Sequence, residues 1–437
     1  MRDIVLALFI FGTIPFILSR PYIGLLVWSW LGYMNPNRLT YGFANNFPWV
    51  MLVAVVTLLA LAFSRERKRI SLSAVSVLLF VFVVWTGLTT VFAAQPSAAW
   101  PKYEEFTKIL VMVFVTLMLV KTRERMHGLV WVIVLSLGFY GVKGGVFTAL
   151  GGGVNHVMGP AGSFITDNNA LALALAMTIP LMRYLQLQST KKWVRRWLAA
   201  AMLFTGIAVL GTYSRGGLIG LLIVAGALFV KSRQRFAVVL VIIVVGLIAW
   251  NFMPAQWAER MGTLHSASQT DSGETRIQSW KFATAVAIHH PVFAGGFEVY
   301  QDTAMWRNLG PEGAVPRAIH SIYFRMLGEQ GFIGLGLFLA LLVASWRNCA
   351  RVRKLARDDS RLRWAFDLAS MLQVTLVAYM TAGAFLPMPY FDLSWQLMAL
   401  TALLSDSVTQ EVGERKPEGG PSLSVQTRRT AATTFRG

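Results

Sequence analysis

Charged residues and cysteine are scarce in this sequence. Only 14% of the 437 residues are Asp, Glu, Lys or Arg, whereas a soluble domain of this length carries roughly a quarter. Most of the surface therefore faces something other than water. Cys349 is the single cysteine, which excludes an intramolecular disulfide. The sequence also lacks a P-loop, a nucleophile elbow and a paired-carboxylate motif, and its histidines form no metal-ligand pattern with cysteine or carboxylates.

Long apolar runs account for the low charge. Hydrophobic residues make up 55% of the chain, and runs of roughly 17–25 residues recur, the length that crosses a bilayer core. Because backbone groups in lipid must be satisfied within the segment, these runs predict helices. The sequence therefore predicts an all-α polytopic membrane protein with about 12 transmembrane helices. The predicted spans are 3–19, 22–34, 48–63, 71–93, 103–120, 129–150, 169–186, 194–213, 216–230, 236–253, 320–346, 366–386 and 391–405.

The first two predicted spans are short and could form a bent pair. Residues 1–20 lack a small-residue cleavage site before the next apolar stretch, so we expect a retained helix rather than a signal peptide. The side on which the N-terminus lies depends on whether both short segments cross the membrane, and the sequence leaves that open.

The net charge of +19 is distributed in short basic clusters between the apolar runs. A continuous basic patch is missing, which argues against a nucleic-acid partner. By the positive-inside rule we expect the basic connections to be cytoplasmic; they are 65–69, 121–125, 191–196, 231–235 and 347–363. The connections poor in Lys and Arg would then lie outside; they are 95–101, 151–168 and 386–391.

This topology places one long segment, 254–319, outside the membrane as a loop with short helices. The tail 411–437 would lie inside, and its Pro, Gly, Ser and Thr predict disorder. We therefore expect three regions: an N-terminal transmembrane region 1–167, a transmembrane core 168–410 that includes the long loop, and the tail.

An arginine stands in the short turn 211–217, on the predicted outer side. Arg215 is preceded there by Tyr213 and Ser214. An arginine at a helix end can snorkel to lipid headgroups. The positive-inside bias nevertheless makes an isolated outer arginine unusual, which favours a functional role.

A second outer arginine, Arg276, lies in the long loop. Residues 274–290 have helical spacing, with Ile277, Trp280, Ala283 and Ala287 on one side; Asp271 or Ser272 could cap this helix and Pro291 would end it. Arg276 would then stand in the first turn, where the free N–H groups already favour an anion. We expect a negative group nearby, either Glu274 or a ligand phosphate.

A histidine marks the point where the long loop re-enters the membrane. His320 opens the next span, which in isolation is typical of a capping or interfacial residue. Arg325 and Glu329 follow with i, i+4 spacing, so we expect them to neutralise each other inside the bundle. Since arginine grips phosphate oxygens bidentately, Arg215 and Arg276 could hold a pyrophosphate without a divalent metal.

Several short motifs resemble those of the O-antigen ligase superfamily. They are the turn Thr212–Gly217, Arg276-x-x-x-Trp280 leading to His290–Phe297, and His320-Ser321 followed by Gly328–Gly334. The resemblance spans roughly 170–405. The N-terminal region, with Arg20-Pro21-Tyr22 and Tyr33-Met34-Asn35-Pro36, is similar to a branch of exosortase-associated O-glycosylation ligases. One departure is Ser321, where many relatives have Asn; we expect it to affect neighbour contacts rather than the role of the histidine.

The resemblance implies an inverting glycosyltransferase with a GT-C-like fold in the bacterial inner membrane and its active site facing the periplasm. Such enzymes move a glycan from undecaprenyl pyrophosphate to a lipid A-core sugar, and related members use a protein hydroxyl as acceptor. No cofactor and no metal is implied.

The residues fit this expectation. Arg215 and Arg276 would stabilise the pyrophosphate as the glycosidic bond breaks, and His320, mostly neutral at neutral pH, would accept the proton of the acceptor hydroxyl. Phosphate, sugar or neighbour contacts are expected from Tyr213, Ser214, Trp280, Lys281 and Ser321. The loop aromatics Trp257, Trp280, Trp306 and Tyr300 could face sugars or anchor the loop at the interface.

Four alternatives stay open at this point. An O-antigen polymerase uses the same donor with a second lipid-linked repeat as acceptor, and a protein O-oligosaccharyltransferase uses a protein. A flippase or transporter would carry charges through both leaflets, whereas the unexplained charges here concentrate on the predicted outer side. A membrane scaffold would need none of Arg215, Arg276 and His320.

Overall fold

A computed structural model of the chain describes residues 1–66, 68–231 and 271–414, and all the α-helices named below lie within these ranges. The predicted span 236–253, the first part of the long loop with Trp257, and most of the tail lie outside the described residues. The helices, numbered over the described residues, are α1 Arg2–Ser19, α2 Pro21–Met34, α3 Trp49–Phe63, α4 Ala74–Val91, α5 Pro96–Leu119, α6 Arg123–Leu150, α7 Asn168–Gln188, α8 Lys192–Gly211, α9 Arg215–Lys231, α10 Asp271–His289, α11 Thr303–Leu309, α12 Ile322–Leu355, α13 Arg363–Gly383 and α14 Asp392–Gly413.

Side-chain caps explain where several of these helices begin. The Thr122 hydroxyl accepts the N–H of Arg125 before α6. The Asp167 carboxylate accepts the N–H groups of Asn169 and Ala170 before α7. Each cap satisfies backbone donors that have no partner inside the helix, so the starts of these helices are determined by local sequence.

Seven helices of the described chain are long and apolar enough to cross a membrane. They are α1, α4, α6, α7, α8, α12, and α13 taken from Ser360. Trp49–Phe63 and Arg215–Val230 are apolar but shorter. On α1 the large apolar side chains Ile4, Leu8 and Phe16 are exposed, as expected of a surface covered by lipid. The all-helical architecture is thus confirmed for the described residues, while the larger number of crossings stays a prediction.

Two of the basic connections, 65–69 and 121–125, meet at one end of the bundle, which we call the basic end. There the Arg125 guanidinium binds the Glu66 carboxylate through both oxygens, at 2.8 and 2.9 Å. The Tyr22 hydroxyl donates to the Arg125 carbonyl at 2.7 Å, and Lys121 donates to the Arg69 carbonyl at 2.6 Å. The beginnings of α2 and α6 and the chain after α3 therefore share this end.

The chain terminus lies at the opposite end of the bundle, which we call the site end. The Asp3 carboxylate accepts the N–H groups of Gly42 and Ala44, at 2.9 and 3.1 Å. Residues 42–44 join α2 to α3, while the junction of α1 with α2 lies at the basic end beside Tyr22. The two short helices α1 and α2 therefore run in opposite directions between the two ends of the bundle. Whether both cross the membrane stays open.

The predicted span 320–346 is not one straight helix. Gly331 interrupts α12 with φ 72° and ψ −173°, a conformation essentially restricted to glycine. A Cβ at this position would lie 2.6 Å from the Val292 carbonyl oxygen. The kink therefore separates a short segment, 322–330, from the rest of α12 and lets the loop after α10 approach its backbone.

The helix predicted at 274–290 begins earlier than expected, at Asp271, and ends at His289 before Pro291. Arg276 is consequently its sixth residue, and the prediction that it stands in the first turn is wrong. Ala283 and Ala287, which the sequence places on one side of this helix, are buried, but Ile277 on the same side is 36% exposed. The buried face is instead completed by Phe282 and Val286.

Candidate functional site

The turn between α8 and α9 has a conformation that its own polar groups determine. Tyr213 adopts a left-handed conformation with φ 57°. The Ser214 hydroxyl accepts the N–H of Gly217 at 3.1 Å, and it donates to Asn169 Oδ1 at 2.7 Å. Asn168 Nδ2 donates to the Thr212 carbonyl at 2.7 Å. The turn is therefore fixed against the start of α7.

Tyr213 and Ser214 are both buried, with 3% and 2% of their surface exposed. The Tyr213 hydroxyl donates to the Gly153 carbonyl, and its ring stacks on His156 with centroids 4.3 Å apart. Burial raises the pKa of the Tyr213 hydroxyl above its ordinary value, which keeps it a neutral donor. These two side chains hold the turn in place, and their predicted substrate contacts stay a prediction.

Arg215 is the first residue of α9 and is partly exposed. The next residue, Gly216, lies against the segment 382–386: a Cβ there would be 3.5 Å from the Ala382 carbonyl and 3.6 Å from Leu386 Cγ. Across the same segment, Phe385 lies 6.4 Å from the ring of Trp280. The segment 382–386 therefore has the start of α9 on one side and α10 on the other.

Trp280 connects α10 to His320. Its indole N–H donates to the His320 carbonyl at 3.2 Å, and its ring stacks on Phe324 with centroids 5.0 Å apart and planes 10° apart. Arg276 lies one helical turn before Trp280 on the same face of α10. The predicted Arg276, Trp280 and His320 are thus brought together at the site end.

The electrostatic environment of His320 favours a neutral ring. Burial lowers the pKa of His320, and the positive charge of Arg276 lowers it further, while Asp167 opposes both effects. Nδ1 of the ring is buried and has no hydrogen-bond partner within residues 1–66, 68–231 and 271–414. A neutral imidazole at neutral pH is the protonation state that a general base requires.

Asp167 is a member of this group that the sequence reasoning missed. It caps α7, and the following residues, Asn168 and Asn169, contact the turn that carries Arg215. Because the charge of Asp167 also acts on His320, it is a second link between the turn and the histidine. The signal was available, since Asp-Asn-Asn before an apolar run is a helix N-cap pattern.

The predicted pair of Arg325 and Glu329 is confirmed, with Nε and Oε1 2.9 Å apart. The sequence reasoning missed its third member, Glu298, whose Oε1 lies 2.6 Å from Arg325 Nη2. Tyr390 donates to the remaining oxygen of Glu329 at 2.7 Å, and Arg325 Nη1 donates to the Pro387 carbonyl at 2.9 Å. This buried cluster ties the long loop and the segment before α14 to the start of α12.

Glu298 lies outside the membrane-spanning helices and stays ionised beside this guanidinium. Burial alone would raise its pKa, but the charge of Arg325 and hydrogen bonds from Tyr300 and Gln301 hold that pKa below the ordinary value. Glu298 adopts a left-handed conformation with φ 59°, and its N–H donates to Glu329 Oε1 at 3.1 Å. The loop is therefore anchored here through both backbone and side chain.

The other predicted residues have distinct environments. The Ser321 hydroxyl caps α12 by accepting the N–H groups of Tyr323 and Phe324, which gives it a structural role. Lys281 is exposed on α10. Trp306 is 2% exposed and stacks on Phe282 with centroids 4.0 Å apart. It therefore belongs to the core of the loop and offers no open face to a sugar.

Histidine, cysteine, aspartate and glutamate are too dispersed to suggest a metal centre in the part of the chain that the structure describes: no three of them are placed to hold an ion there. The charges that act on the ring of His320 are instead those of Arg276, Asp167 and Arg325. Arginine is suited to binding phosphate groups bidentately.

The fold and the site thus define a helical membrane protein with Arg215, Arg276 and His320 toward one end of the bundle. Residues 199–339 match the model of the O-antigen ligase family, and residues 1–190 match a family of unknown function. The match over residues 199–339 supports the resemblance to the O-antigen ligase superfamily. No curated protein matches the chain in a sequence comparison. The matched family points to glycosyl transfer of the ligase or polymerase type, with lipid-linked glycans as substrates.

Proposed function

We propose that the protein transfers a glycan en bloc from undecaprenyl pyrophosphate to a sugar of lipid A core. One observation carries the proposal: Arg276 and His320 lie together at the site end, and the turn that bears Arg215 is linked to them through Asp167 and the segment 382–386. A cationic pair beside a neutral base is what displacement of a pyrophosphate by a hydroxyl requires.

In the proposed reaction the acceptor oxygen attacks the anomeric carbon on the face opposite the pyrophosphate, so the configuration inverts. The bond from acceptor oxygen to carbon forms as the bond from carbon to phosphate oxygen breaks, and undecaprenyl pyrophosphate leaves with the electron pair. Arg215 and Arg276 stabilise the charge that grows on that oxygen. His320 takes the hydroxyl proton and later releases it to water. No metal takes part in this proposal.

The setting of this reaction is part of the proposal. We infer that the basic end faces the cytoplasm and the site end faces the periplasm, in a multi-pass protein of the bacterial inner membrane with a GT-C-like fold. The clustering of Arg69, Lys121 and Arg125 at one end supports this orientation. Residues 1–167 form the N-terminal membrane region, 168–410 the ligase core with the loop 254–319, and 411–437 the tail.

Secondary roles follow from the contacts of the remaining residues. Trp280 positions His320 by donating its indole N–H to the His320 backbone carbonyl. Tyr213 and Ser214 maintain the backbone around Arg215, and Ser321 maintains the backbone around His320. Lys281 is exposed beside this group and would meet a sugar or phosphate that extends beyond the reacting bond.

The experiment that tests the function uses the purified protein, an undecaprenyl-pyrophosphate-linked glycan and lipid A core, with EDTA present throughout. We expect the core to gain the glycan, detected as a ladder shift on gels and by mass spectrometry. If the donor chains lengthen while the core stays unmodified, the protein is a polymerase and the ligase proposal fails. If neither changes and an added acceptor protein is glycosylated, the acceptor is a protein hydroxyl and the lipid A-core assignment fails.

A further inference from the structure

A cavity of about 980 Å³ is lined mostly by residues of the N-terminal region, and His320 is not among its lining residues. Its back wall is α2, where Trp28, Gly32 and Asn35 lie on one face. Its sides are α3 and α5, and both helices pack against α2. Most of this wall belongs to residues 1–190, which match a family of unknown function. Nothing in the proposed reaction at His320 uses these residues.

The lining of the cavity changes from polar to apolar along its length. Next to the site end it is lined by amide, cationic and carboxylate side chains, which are Asn35, Asn37, Arg38, Asn45, Asn46, Lys102 and Asp392. Further along α3 the lining is Met51, Ala54, Val55 and Leu58, and Val55 and Leu58 are 44% and 38% exposed. An amphiphile with one polar end and a long apolar end has the same polarity profile.

The cationic groups of the polar part differ in what they already bind. Lys102 pairs with Glu105 at 2.9 Å and Lys108 pairs with Glu104 at 2.5 Å. Arg325, at the inner edge of the cavity, is neutralised by Glu298 and Glu329. Each of these three cations therefore already has a carboxylate partner without a ligand.

Arg38 is different. Among the described residues its guanidinium makes no ion pair, and its hydrogen bond goes to the neutral amide oxygen of Asn45, at 3.2 Å. The side chain is exposed and lies over Gly162, where a Cβ would be 3.1 Å from the guanidinium carbon. Gly162 has φ 73°, so glycine suits this position both sterically and conformationally. The guanidinium is thus held at the cavity mouth with donor capacity left for an anion.

The hydroxyl-binding groups beside Arg38 favour a sugar over a bare phosphate. Asn37 and Asn45 already donate to backbone carbonyls, at 3.1 and 2.9 Å, so they are held in fixed positions. Asp392 is only 9% exposed and accepts the N–H of Leu393 through one oxygen, which leaves the other to accept from a hydroxyl. Trp28 and Phe164 add apolar ring surface to the same part of the lining.

From this profile we infer that the cavity binds one phosphate-bearing glycolipid. Its phosphate lies on Arg38, its sugar hydroxyls meet the asparagines and Asp392, and its hydrocarbon chains run between α3 and α5. The inference concerns binding and stands whether or not the proposed transfer takes place at His320. If that transfer is correct, the cavity is where a second lipid substrate would approach the reacting groups, since Arg325 contributes to both the cavity lining and the field at His320.

Native mass spectrometry of the detergent-solubilised protein tests the inference without any assay of transfer. Three probe lipids distinguish recognition of the phosphate from recognition of the sugar. Lipid A has phosphate and sugar, phosphatidylglycerol has phosphate without sugar, and diglucosyl-diacylglycerol has sugar without phosphate. We expect lipid A to be retained at one copy and more tightly than either of the others. Loss of a charge-assisted hydrogen bond in Arg38→Gln should weaken lipid A binding about tenfold or more, with little change for diglucosyl-diacylglycerol.

The apolar part is tested by Ala54→Phe, which fills the space between α3 and α5. The matched control is Leu8→Phe, at a side chain of α1 that is 68% exposed and outside the cavity. We expect Ala54→Phe to lose bound lipid A and Leu8→Phe to retain it, with thermal unfolding in detergent confirming that both variants are folded. Equal retention of all three probes, or unchanged lipid A binding in both Arg38→Gln and Ala54→Phe, would overturn the inference.

Discussion

His320 owes its proposed role to groups that are distant from it in sequence. Burial and Arg276 lower the pKa of its ring, whereas Asp167 raises it. Arg276 comes from α10 and Asp167 from the cap of α7, so the protonation of the histidine reports on the assembly of the site end. Because Arg276 and Asp167 have opposite charges, they shift the His320 pKa in opposite directions, and a single substitution of either residue tests its effect.

Asp167→Asn should shift the acidic limb of transfer activity to lower pH. The rate requires a neutral His320, so it falls as the pH drops through the pKa of that ring. Removing the carboxylate removes a contribution that raises this pKa. The His320 pKa therefore falls, and the acidic limb of the rate moves to lower pH. Because Asn is also a good N-cap, α7 should remain intact. The measurement is initial rate against pH for both proteins.

Asp302→Asn is a matched control for this substitution. Asp302 caps α11, where its carboxylate accepts the N–H of Met305, and it is not among the groups that act on the His320 pKa. An acidic limb that stays in place in Asp167→Asn, or moves equally in Asp302→Asn, would show that the Asp167 charge does not act on the base.

The sequence identified some members of the site but could not show how they meet. Arg215 and Arg276 stand out in the sequence because charges on the predicted outer side of a membrane are unusual, and His320 stands out because it opens the span that follows the long loop. Asp167 and Glu298 were missed because a helix cap and a left-handed glutamate become neighbours of distant residues only through the packing of α7, α10 and α12. Trp306 was considered a candidate sugar contact, although it is buried against Phe282, since exposure cannot be read from residue type.

At the scale of the helix, the break in α12 shapes the site end. Residues before Gly331 carry Arg325 and Glu329, and residues after it form the apolar part of the helix. The N–H of Gly295 donates to the Gly328 carbonyl at 3.1 Å, so the loop after α10 is attached to the segment before the kink. The sequence predicted an uninterrupted span because the apolar pattern continues across Gly331.

Gly331→Ala should destabilise the protein by about 1–3 kcal/mol, because a side chain is strained in this conformation and its Cβ would lie 2.6 Å from the Val292 carbonyl. The matched control is Gly336→Ala in the same helix, where a Cβ meets nothing within 4 Å. The midpoint of unfolding in detergent measures both. Equal midpoints for the two variants would contradict the steric account of the kink.

At the scale of the whole molecule, the Glu298, Arg325 and Glu329 cluster joins parts of the chain that are far apart in sequence. The exposed fractions of these side chains are 12%, 8% and 0%, and Tyr390 and Pro387 complete the hydrogen bonds around them. A buried cluster of this kind is not by itself strong support for stability, but removing one partner leaves a charge without compensation.

Arg325→Met should therefore destabilise the protein by about 3–5 kcal/mol, since two buried carboxylates lose their guanidinium. Adding Glu298→Gln and Glu329→Gln to it should restore part of that loss. Arg347→Met is the control, because Arg347 is exposed on the same helix. Unfolding midpoints of the four proteins decide the matter: no recovery in the triple variant would mean that the effect of Arg325 is steric rather than electrostatic.

Much of the fold followed from the sequence because lipid imposes strict rules on length and polarity. The described helices agree with the hydrophobic runs, and the contact between the basic connections 65–69 and 121–125 agrees with the charge distribution. The lengths of the two short N-terminal helices do not show how they pack. The contact of Asp3 with residues 42–44 shows that the start of α1 lies beside the chain that follows α2, so the two helices are antiparallel. The cavity between α3 and α5 was not predicted, because it depends on how these helices diverge around α2.

The most direct test of the central claim compares transfer by the unaltered protein with transfer by His320→Ala, using His289→Ala as the control. His289 is exposed at the end of α10, and all three proteins are first matched by unfolding midpoint and donor binding. The account predicts that His320→Ala lowers the single-turnover rate about 10²–10⁴-fold, as expected for loss of a general base, while His289→Ala transfers normally. Transfer by His320→Ala within a few-fold of the unaltered protein would contradict the assignment of His320 as the base.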